Sequence, residues 1–372
     1  MSKSKTEATG PASGRGKAGG GPAGAKSPAA QIAALDAQLL ALLQRRAELA
    51  LAAAQAAPTA QSADQPASAE LLARHPGPLP DRTLRAVLRE VESGCRALVR
   101  ELRVAFLGPL YSYSHLAAIS RFGQSVEYLP VASIAAVFEE VQRQHADFGL
   151  VPIENSTDGR VADSLDMFAR VPTLLGGMVE MRIHHALLGK CPRSDVKEVY
   201  SRPQALSQCR NWVARHLPAA RAIEVTSTST AAQLAQEKPG AAAIAGLQAG
   251  VYYGLDVLAE NIEDNPDNVT RFAVIGGETP PRTGDDRTAM LFQVEHRPGT
   301  LAEAMNIFKR NQVNLTWIES FPVPGSDRAY LFFVEMEGHQ ADARLRRAVR
   351  ALGRRALRLE ILGSFPTPRT AE

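Results

Sequence analysis

Hydroxyl and amide side chains collect at three places in this chain where an apolar, strand-like run gives way to a helix-like run. These junctions lie in residues 104–115, 148–157 and 222–230. The N-terminus of a helix carries unpaired N–H groups and a partial positive charge, so it attracts anions. In an open α/β sheet such junctions meet along the carboxyl edge of the strands, where ligands bind. The pattern therefore predicts a cleft for a small carboxylate ligand.

The elements that must position these junctions alternate between strand and helix patterns from residue 103 to about 277, which is typical of α/β architecture. Residues 282–286 have the composition of a linker. Beyond them we expect the order βαββαβ, which is the ferredoxin-like arrangement. The expected strands cover 288–295, 313–321, 329–335 and 357–362, and the first expected helix covers 300–311.

The N-terminal segment has a different character. Residues 1–28 contain Gly, Ala, Ser, Lys and Pro with almost nothing to bury, so we expect them to be disordered. A helical pattern begins at Ala29, and a second helix is expected from an Asp81 cap to Val99. These two helices have too little apolar surface to fold alone. We expect them to pack on a partner subunit or on the rest of the chain.

Composition narrows the class of protein. A length of 372 residues predicts two or three domains, and 45% hydrophobic with 22% charged residues is typical of a soluble globular protein. A net charge of +3 gives no support to nucleic-acid binding. Three cysteines without CxxC spacing argue against a disulfide framework or a zinc site. With no membrane-spanning run and no secretory signal pattern, a cytoplasmic location is expected.

Seven motifs, in order, make the central region resemble prephenate dehydratases. They lie at 108–118, 151–159, 185–188, 201–209, 229–231, 253–255 and 268–272. The resemblance implies two α/β subdomains, similar to periplasmic binding proteins, with the active cleft between them. It also implies a carbon–oxygen lyase that converts prephenate to phenylpyruvate, CO2 and water in phenylalanine biosynthesis. No metal or redox cofactor is expected for this reaction, and the sequence offers no ligand cluster for one.

The resemblance assigns roles to individual residues. Thr270 is expected to hydrogen-bond or protonate the leaving hydroxyl, and Asn155 to donate to a substrate oxygen, while Glu154 organises the site. Arg271 either pairs with a substrate carboxylate or forms a salt bridge with Glu154 or another acid. For His185 a satisfied core position is favoured over a catalytic one. The expected substrate-binding residues are Ser112, Ser114, Ser201, Gln208, Thr228, Ser229 and Thr230.

The C-terminal unit, 287–366, resembles an ACT regulatory domain. Such domains bind an amino acid at a dimer interface, which implies feedback inhibition by L-phenylalanine in a homodimer or homotetramer. Phe321 stands where the family usually has arginine. The residues expected to form the phenylalanine site are Pro298, Gly299, Thr300, Leu301, Ile318, Glu319 and Ser320.

Residues 29–102 resemble the chorismate mutase half of a bifunctional chorismate mutase/prephenate dehydratase, but without most of its charges. Arg46 and Ser93 are retained. The residues that replace expected polar ones are Ala29, Ala57, Ala67, Ser68 and Ala97. Each lost charged contact in a desolvated site removes several kcal/mol of transition-state stabilisation, so mutase activity is expected to be lost.

Three alternatives stay open at this point. The enzyme could prefer arogenate, which carries an amino group in place of the keto group. It could keep residual chorismate mutase activity if a different arginine or lysine is recruited. The two-lobed region could also be a non-catalytic carboxylate-binding protein, against which the Thr270-Arg271-Phe272 motif argues.

Overall fold

The structure is a computed structural model that describes residues 27–56, 77–323, 329–368 and 370–371. Of the residues 1–28 that were expected to be disordered, 1–26 lie outside the described residues, as do the replaced positions Ala57, Ala67 and Ser68, while Pro28 begins a helix. The chain divides into two compact units, 1–49 and 50–372. None of the described helices is long and apolar enough to cross a membrane.

Two helices come before the first strand. Helix α1, Pro28–Ala56, has no buried residue, and α2 covers Asp81–Val99. Helix α2 packs on the end of the next helix, where Ser93 is fully buried and its hydroxyl accepts the N–H of Ser125 at 3.1 Å. Arg96 also donates to the carbonyl of Phe122 at 2.9 Å. The expectation that this helix packs on the rest of the chain is met by these contacts.

The remaining elements alternate as the sequence predicts. In chain order they are β1 Arg103–Leu107, α3 Tyr113–Phe122, β2 Glu127–Val131, α4 Ile134–Gln142, β3 Phe148–Asn155, β4 Gly159–Arg160, α5 Ala162–Arg170, β5 Leu175–Arg182, β6 Ala186–Gly189, β7 Glu198–Ser201, α6 Pro203–Gln208, α7 Arg210–His216, β8 Arg221–Glu224, α8 Thr228–Glu237, β9 Ala241–Ala245, α9 Leu247–Tyr253, β10 Asp256–Ala259, β11 Val269–Gly276, β12 Asp286–Gln293, α10 Thr300–Arg310, β13 Leu315–Pro322, β14 Tyr330–Glu337, α11 Ala343–Gly353, β15 Arg358–Pro366 and β16 Thr370–Ala371. The protein is a mixed α/β fold.

Two sheets form the two lobes of the central region. The first lobe has the strand order β16-β5-β11-β3-β1-β2, with β4 paired to β3, and the second has the order β10-β6-β9-β7-β8. The chain leaves the first sheet after β5, builds the second sheet, and returns as β11 between β3 and β5. The start of β11 therefore lies just after a crossing between the lobes. Strand β9 is buried along its whole length, as expected for a strand covered on both faces.

The C-terminal unit is a four-stranded antiparallel sheet with the order β13-β14-β12-β15 and the element order βαββαβ. One face packs on α10 and α11, and the other joins the core of the first lobe. Phe321, Leu331 and Phe333 belong to the same apolar cluster as Ile153 and Phe168 of the first lobe. A Cβ atom on Gly363 would lie 2.2 Å from the carbonyl oxygen of Leu175, so β15 crosses β5 at backbone contact.

Candidate active site

Thr270 and Asn155 lie opposite each other where β11 pairs with β3. The side-chain nitrogen of Asn155 donates to the Thr270 hydroxyl oxygen at 2.8 Å, and to the Asn268 carboxamide oxygen at the same distance. Strand β3 ends, and strand β11 begins, beside the crossing between the lobes. The structure thus joins, across 115 residues of chain, two of the side chains that the sequence assigned to the reaction.

The orientation of the Asn155 carboxamide is fixed by the loop that follows β3. Its oxygen accepts the backbone N–H groups of Thr157 at 2.9 Å and Asp158 at 3.0 Å. Because backbone N–H groups can only donate, this end of the carboxamide is the oxygen, and the end facing Thr270 is the NH2 group. Thr270 therefore accepts a hydrogen bond through its oxygen and keeps its own proton to donate elsewhere.

Gln208 brings the second lobe into the same network. It is the last residue of α6, and its carboxamide oxygen accepts from the Asn268 carboxamide at 3.1 Å. Its nitrogen donates to the Asp158 carboxylate at 3.0 Å. Gln208 thus contacts the first lobe twice from the second, and Thr270, Asn155 and Gln208 lie in one connected group.

Ser201 does not join this group. It ends β7 as expected, but its side chain is 0% exposed, and its hydroxyl donates to the carbonyl of Ile244 at 2.6 Å. In this arrangement the hydroxyl ties β7 to β9. Substrate contact by Ser201 stays a prediction, and it would require this bond to break.

The hydroxyl residues predicted to bind substrate at the starts of α3 and α8 differ in what their side chains contact. Ser112 caps α3 by accepting the N–H of His115, and Thr228 begins α8, which is capped by Ser227. Ser229 donates to the carbonyl of Leu110 at 3.3 Å, so the start of α8 contacts the loop before α3 across the lobes. Ser114 and Ser229 are buried, and Thr230 bonds to Ser227 at 2.8 Å. Several of these hydroxyls therefore serve the helix caps.

Tyr111, in that same loop, has a φ of 63°. Bulky side chains rarely adopt this left-handed conformation. Its ring stacks on that of Tyr252 from α9, with centroids 4.4 Å apart. Aromatic stacking of this kind contributes roughly 0.5–1.5 kcal/mol, which offsets backbone strain of similar size. The pair joins the two lobes above the α3 junction.

Arg271 has the second of the two arrangements expected for it. Its guanidinium bonds to Glu154 at 2.9 Å, lies 3.5 Å from Glu180, and forms a short ion pair with Glu335 of β14. It also lies over the ring of Trp317, 5.2 Å from the centroid. Its side chain is only 13% exposed. A salt bridge, the alternative for this residue, is the observed arrangement, so the group is not free for a substrate carboxylate.

Two further residues complete the network. Asn268 lies in the motif at 268–272 without an assigned role, although its amide two residues before Thr270 is a signal. His185 has the buried, hydrogen-bonded core position that the sequence favours, and its ring contacts Gln208 at 2.8 Å, a partner that the sequence does not predict. Burial lowers the pKa of His185 and raises the pKa of Tyr113, whose hydroxyl lies 3.2 Å from that ring. The network therefore consists of neutral donors and acceptors around Asp158.

The residues expected to bind phenylalanine lie on the C-terminal unit. Gly299 has a φ of 87°, and a Cβ atom there would meet open space. The hydroxyl of Thr300 donates to the carbonyl of Glu295 at 2.7 Å. Arg160 of the first lobe bonds to Glu319 at 3.1 Å and to the carbonyl of Ser320 at 2.9 Å. Part of the expected effector surface is thus tied to the first lobe.

Two cavities lie in the C-terminal region, and neither is lined by Thr270. One, of about 730 Å³, lies between residues 282–287 and the start of α11. The other, of about 180 Å³, lies beside Thr300 and Glu303. Across the described ranges, no group of His, Cys, Asp or Glu side chains is arranged to hold a metal ion.

Comparison with known proteins decides the family. The family model for prephenate dehydratase matches residues 104–280, which span both lobes and include Asn155, Gln208 and Thr270. The chain belongs to the prephenate dehydratase family. A bifunctional chorismate mutase/prephenate dehydratase of Stutzerimonas stutzeri is 41% identical over 292 residues, which cover 78% of this chain and 80% of the relative.

Two further matches extend this result. The bifunctional chorismate mutase/prephenate dehydratase of Neisseria gonorrhoeae is 38% identical over 344 residues, covering 90% of this chain and 95% of the relative. That match is longer than the two lobes and the C-terminal unit together, so it includes part of the N-terminal segment. A crystal structure of prephenate dehydratase from Arthrobacter aurescens in complex with L-Phe is 34% identical. It has a TM-score of 0.67 and covers 72% of this chain and 90% of its own.

Proposed function

We propose that the cleft at the start of β11 converts prephenate to phenylpyruvate, CO2 and water, with Thr270 as the donor to the leaving hydroxyl. The observation that carries this assignment is the bond from Asn155 to Thr270 at 2.8 Å. Since the Asn155 oxygen is held by two backbone N–H groups, Thr270 accepts from Asn155 and presents its proton to another oxygen. A leaving hydroxyl needs such a donor.

The reaction releases a carboxylate and a hydroxyl from a ring that becomes aromatic. The bond from the ring to its carboxylate breaks, its electron pair enters the ring, and the carboxylate leaves as CO2. The C4–oxygen bond breaks at the same time, and the hydroxide takes up one proton to leave as water. A positioned donor contributes about 10²–10⁴-fold to such a step. Thr270 polarises the oxygen, and solvent supplies the proton consumed in each turnover.

The side-chain amides and hydroxyls around Thr270 hold the two carboxylates of prephenate. In this proposal Asn155 and Gln208 bind substrate oxygens from opposite lobes, in exchange for part of their present bonds to Asn268 and Asp158. Ser112, Ser114 and residues 228–230 contribute from the two helix starts. Arg271 and Glu154 hold the far side of β11 and β3 instead, because their ion pair turns away from Thr270. Favourable charge for the carboxylates then comes from the helix starts of α3 and α8.

We propose four segments for the chain. Residues 1–28 are a tail, 29–102 a chorismate mutase-like helical segment, 103–280 the dehydratase domain, and 287–366 an ACT regulatory domain. The family match at 104–280 and the βαββαβ order of 286–366 support these bounds. The two-sheet topology of the dehydratase domain supports a fold similar to that of periplasmic binding proteins. Three free cysteines support a cytoplasmic location.

L-phenylalanine is the proposed effector of the ACT domain. The related enzyme of Arthrobacter aurescens was crystallised with L-Phe. Here the open space at Gly299 leaves room for the ligand's carboxylate to approach the backbone. Leu301 and Ile318 are 37% and 43% exposed, which suits apolar surfaces that a second subunit covers. A homodimer or homotetramer that binds phenylalanine between subunits follows from this proposal.

The mutase-like segment has a structural role in this proposal. Ser93, one of its two retained polar residues, is fully buried and bonded to Ser125 of the dehydratase domain. A hydroxyl used in this way is not available to a chorismate site. Ala97, in the same helix, has no polar group to offer.

The experiment that tests the proposed function compares two substrates. Purified enzyme receives prephenate and arogenate in separate reactions, and the formation of phenylpyruvate and phenylalanine is measured. We expect phenylpyruvate from prephenate at the higher kcat/KM. Reactions with Thr270→Val enzyme and without enzyme serve as controls. Binding of prephenate without turnover would contradict the proposal and favour a carboxylate-binding protein, whereas higher kcat/KM with arogenate would reassign the substrate.

A further inference from the structure

His185 lies in the short crossing between β5 and β6, and it is 2% exposed. One ring nitrogen, Nε2, is 2.8 Å from the carboxamide oxygen of Gln208. The other, Nδ1, is 3.2 Å from the hydroxyl of Tyr113. His185 thus contacts a residue of the proposed site without reaching the cleft itself.

A series of hydrogen bonds links Thr270 to His185, and the orientation of the Asn155 carboxamide determines which group donates in each of them. The Asn155 carboxamide is oriented by the N–H groups of Thr157 and Asp158. Its NH2 group donates to the oxygen of Asn268, so the NH2 group of Asn268 must face the oxygen of Gln208. The distances of the two contacts are 2.8 and 3.1 Å.

The same series of hydrogen bonds determines which ring nitrogen of His185 carries the proton. With its oxygen toward Asn268, Gln208 donates through its NH2 group to the Asp158 carboxylate at 3.0 Å. The Gln208 oxygen can only accept, so the contact at 2.8 Å requires a proton on Nε2 of His185. The structure admits one orientation for each carboxamide and assigns the Nε2–H form to this ring.

The surroundings of His185 hold the ring in place. The Glu263 carboxylate accepts the backbone N–H of His185 at 2.8 Å and bonds to the His184 ring at 2.7 Å. The Tyr113 hydroxyl donates its one proton to the carbonyl of His184 at 2.7 Å, and the Tyr113 ring meets the His185 ring edge to face. The bond at Nε2 and this packing hold the His185 ring. A buried ring held in this way is suited to orienting a neighbour.

We propose that His185 is a positioning residue for the dehydration. Its Nε2–H group fixes the orientation of the Gln208 carboxamide, so that the oxygen accepts from Asn268 and the nitrogen donates to Asp158. Both partners belong to the first lobe, so these bonds also set the separation of the lobes at the cleft. Through Gln208 it holds Asn268 against Asn155, the residue that bonds to Thr270 and whose own orientation the 157–158 loop already fixes. This inference rests on the proposed function and adds a residue that does not touch substrate.

The test uses the full chain and four variants. His185→Met removes the donor with a side chain of similar bulk, and His185→Gln restores an N–H donor. Gln208→Ala and the double variant His185→Met/Gln208→Ala complete a double-mutant cycle. We expect His185→Met to lower kcat on the order of 10²-fold with a change in KM below about 3-fold, because misplaced groups slow the step more than they weaken binding. His185→Gln should recover to within about tenfold of the wild type.

The double variant separates positioning from general damage. If His185 acts through Gln208, the double variant should be no slower than Gln208→Ala alone, because the second change removes a partner that is already gone. Additive losses would overturn the proposal, as would a His185→Gln enzyme no faster than His185→Met. Circular dichroism of each variant checks folding. Should His185→Met not fold, the proton position on the His185 ring of the wild-type enzyme decides the outcome.

Nuclear magnetic resonance gives a readout that is independent of turnover. In 15N-histidine-labelled wild-type enzyme at pH 7, the His185 ring should show the neutral Nε2–H form. An Nδ1–H form would overturn the inference whatever the activity. A wild-type enzyme that does not turn over prephenate but shows the Nε2–H form would instead contradict the proposed function alone.

Discussion

Thr270 and Arg271 are neighbours on β11, but their side chains enter different parts of the molecule. Thr270 bonds to Asn155 beside the crossing between the lobes, whereas Arg271 bonds to Glu335 of the C-terminal sheet. Successive residues of a strand point to opposite faces of the sheet, which explains the separation. One strand therefore carries the proposed donor on one face and the contact with the C-terminal sheet on the other.

Removing the Thr270 hydroxyl should stop the reaction without unfolding the protein. Thr270→Val keeps the shape of the side chain, and we expect kcat to fall about 10²–10⁴-fold because no donor meets the leaving hydroxyl. Thr270→Ser keeps the hydroxyl and serves as the matched control. The rate of phenylpyruvate formation measures both, and a Val variant as fast as the Ser variant would remove Thr270 from the mechanism.

Replacing Arg271 should damage stability more than substrate binding. Arg271→Met breaks the pair with Glu335, whose carboxylate is 0% exposed but keeps its bond to Arg287, so we expect the free energy of unfolding to fall by about 1.5–3 kcal/mol. Urea denaturation measures this change. The control is Arg170→Ala, which breaks an exposed pair with Asp166 and should cost less than about 1 kcal/mol. A large rise in KM with unchanged stability would show instead that Arg271 binds a substrate carboxylate.

Acid should destabilise the dehydratase domain through its buried histidines. Burial lowers the pKa of His115 and His185 below the ordinary value of 6.5. The unfolded chain then binds protons that the folded chain does not, so their contribution is complete above pH 6.5 and is lost as the pH falls below it. Urea denaturation at neutral and acidic pH measures the loss. His115→Gln should reduce this acid dependence, and an unchanged dependence would contradict the assignment.

Gly299 should control the response to phenylalanine. Gly299→Ala places a methyl group in the open space beside the backbone and strains a φ of 87°, so we expect inhibition by phenylalanine to weaken. The control is Gly284→Ala, which has a similar φ of 96° and equally open surroundings in the linker. Activity and hydrodynamic size are measured with and without millimolar phenylalanine. If phenylalanine changes neither the activity nor the hydrodynamic size of the wild-type enzyme, the proposal that it is the effector is wrong.

Chorismate should not be a substrate. The described part of the mutase-like segment uses Ser93 to dock α2, and several charges expected for catalysis are replaced. We expect purified enzyme to convert chorismate at no more than the uncatalysed rate. Turnover well above that rate would show that other residues of the segment have been recruited.

Some of this architecture could be predicted from sequence because local pattern determines it. The alternation of strands and helices follows from hydrophobic periodicity, and the helix expected at 300–311 matches α10 closely. The strand expected at 288–295 is β12, Asp286–Gln293, because strand ends depend on the pairing with β14 and β15.

The side-chain partners could not be predicted in the same way. Whether Arg271 faces substrate or acid depends on what covers the outer face of β11, and Glu335 is 64 residues away. The resemblance implies substrate contacts for Ser112 and Ser201, but in the structure helix capping and the Ile244 carbonyl use their hydroxyls. The bond from Gln208 to Asn268 forms only when the two lobes meet. Tertiary contacts decide each of these cases.

Position 363 admits only a residue without a side chain. A Cβ atom there would lie 2.2 Å from the carbonyl oxygen of Leu175, so any larger residue would push β15 away from β5. At the other edge of the same sheet, Glu319 and Ser320 of β13 bond to Arg160 of the first lobe. The C-terminal sheet is therefore fastened to the first lobe at both of its edges.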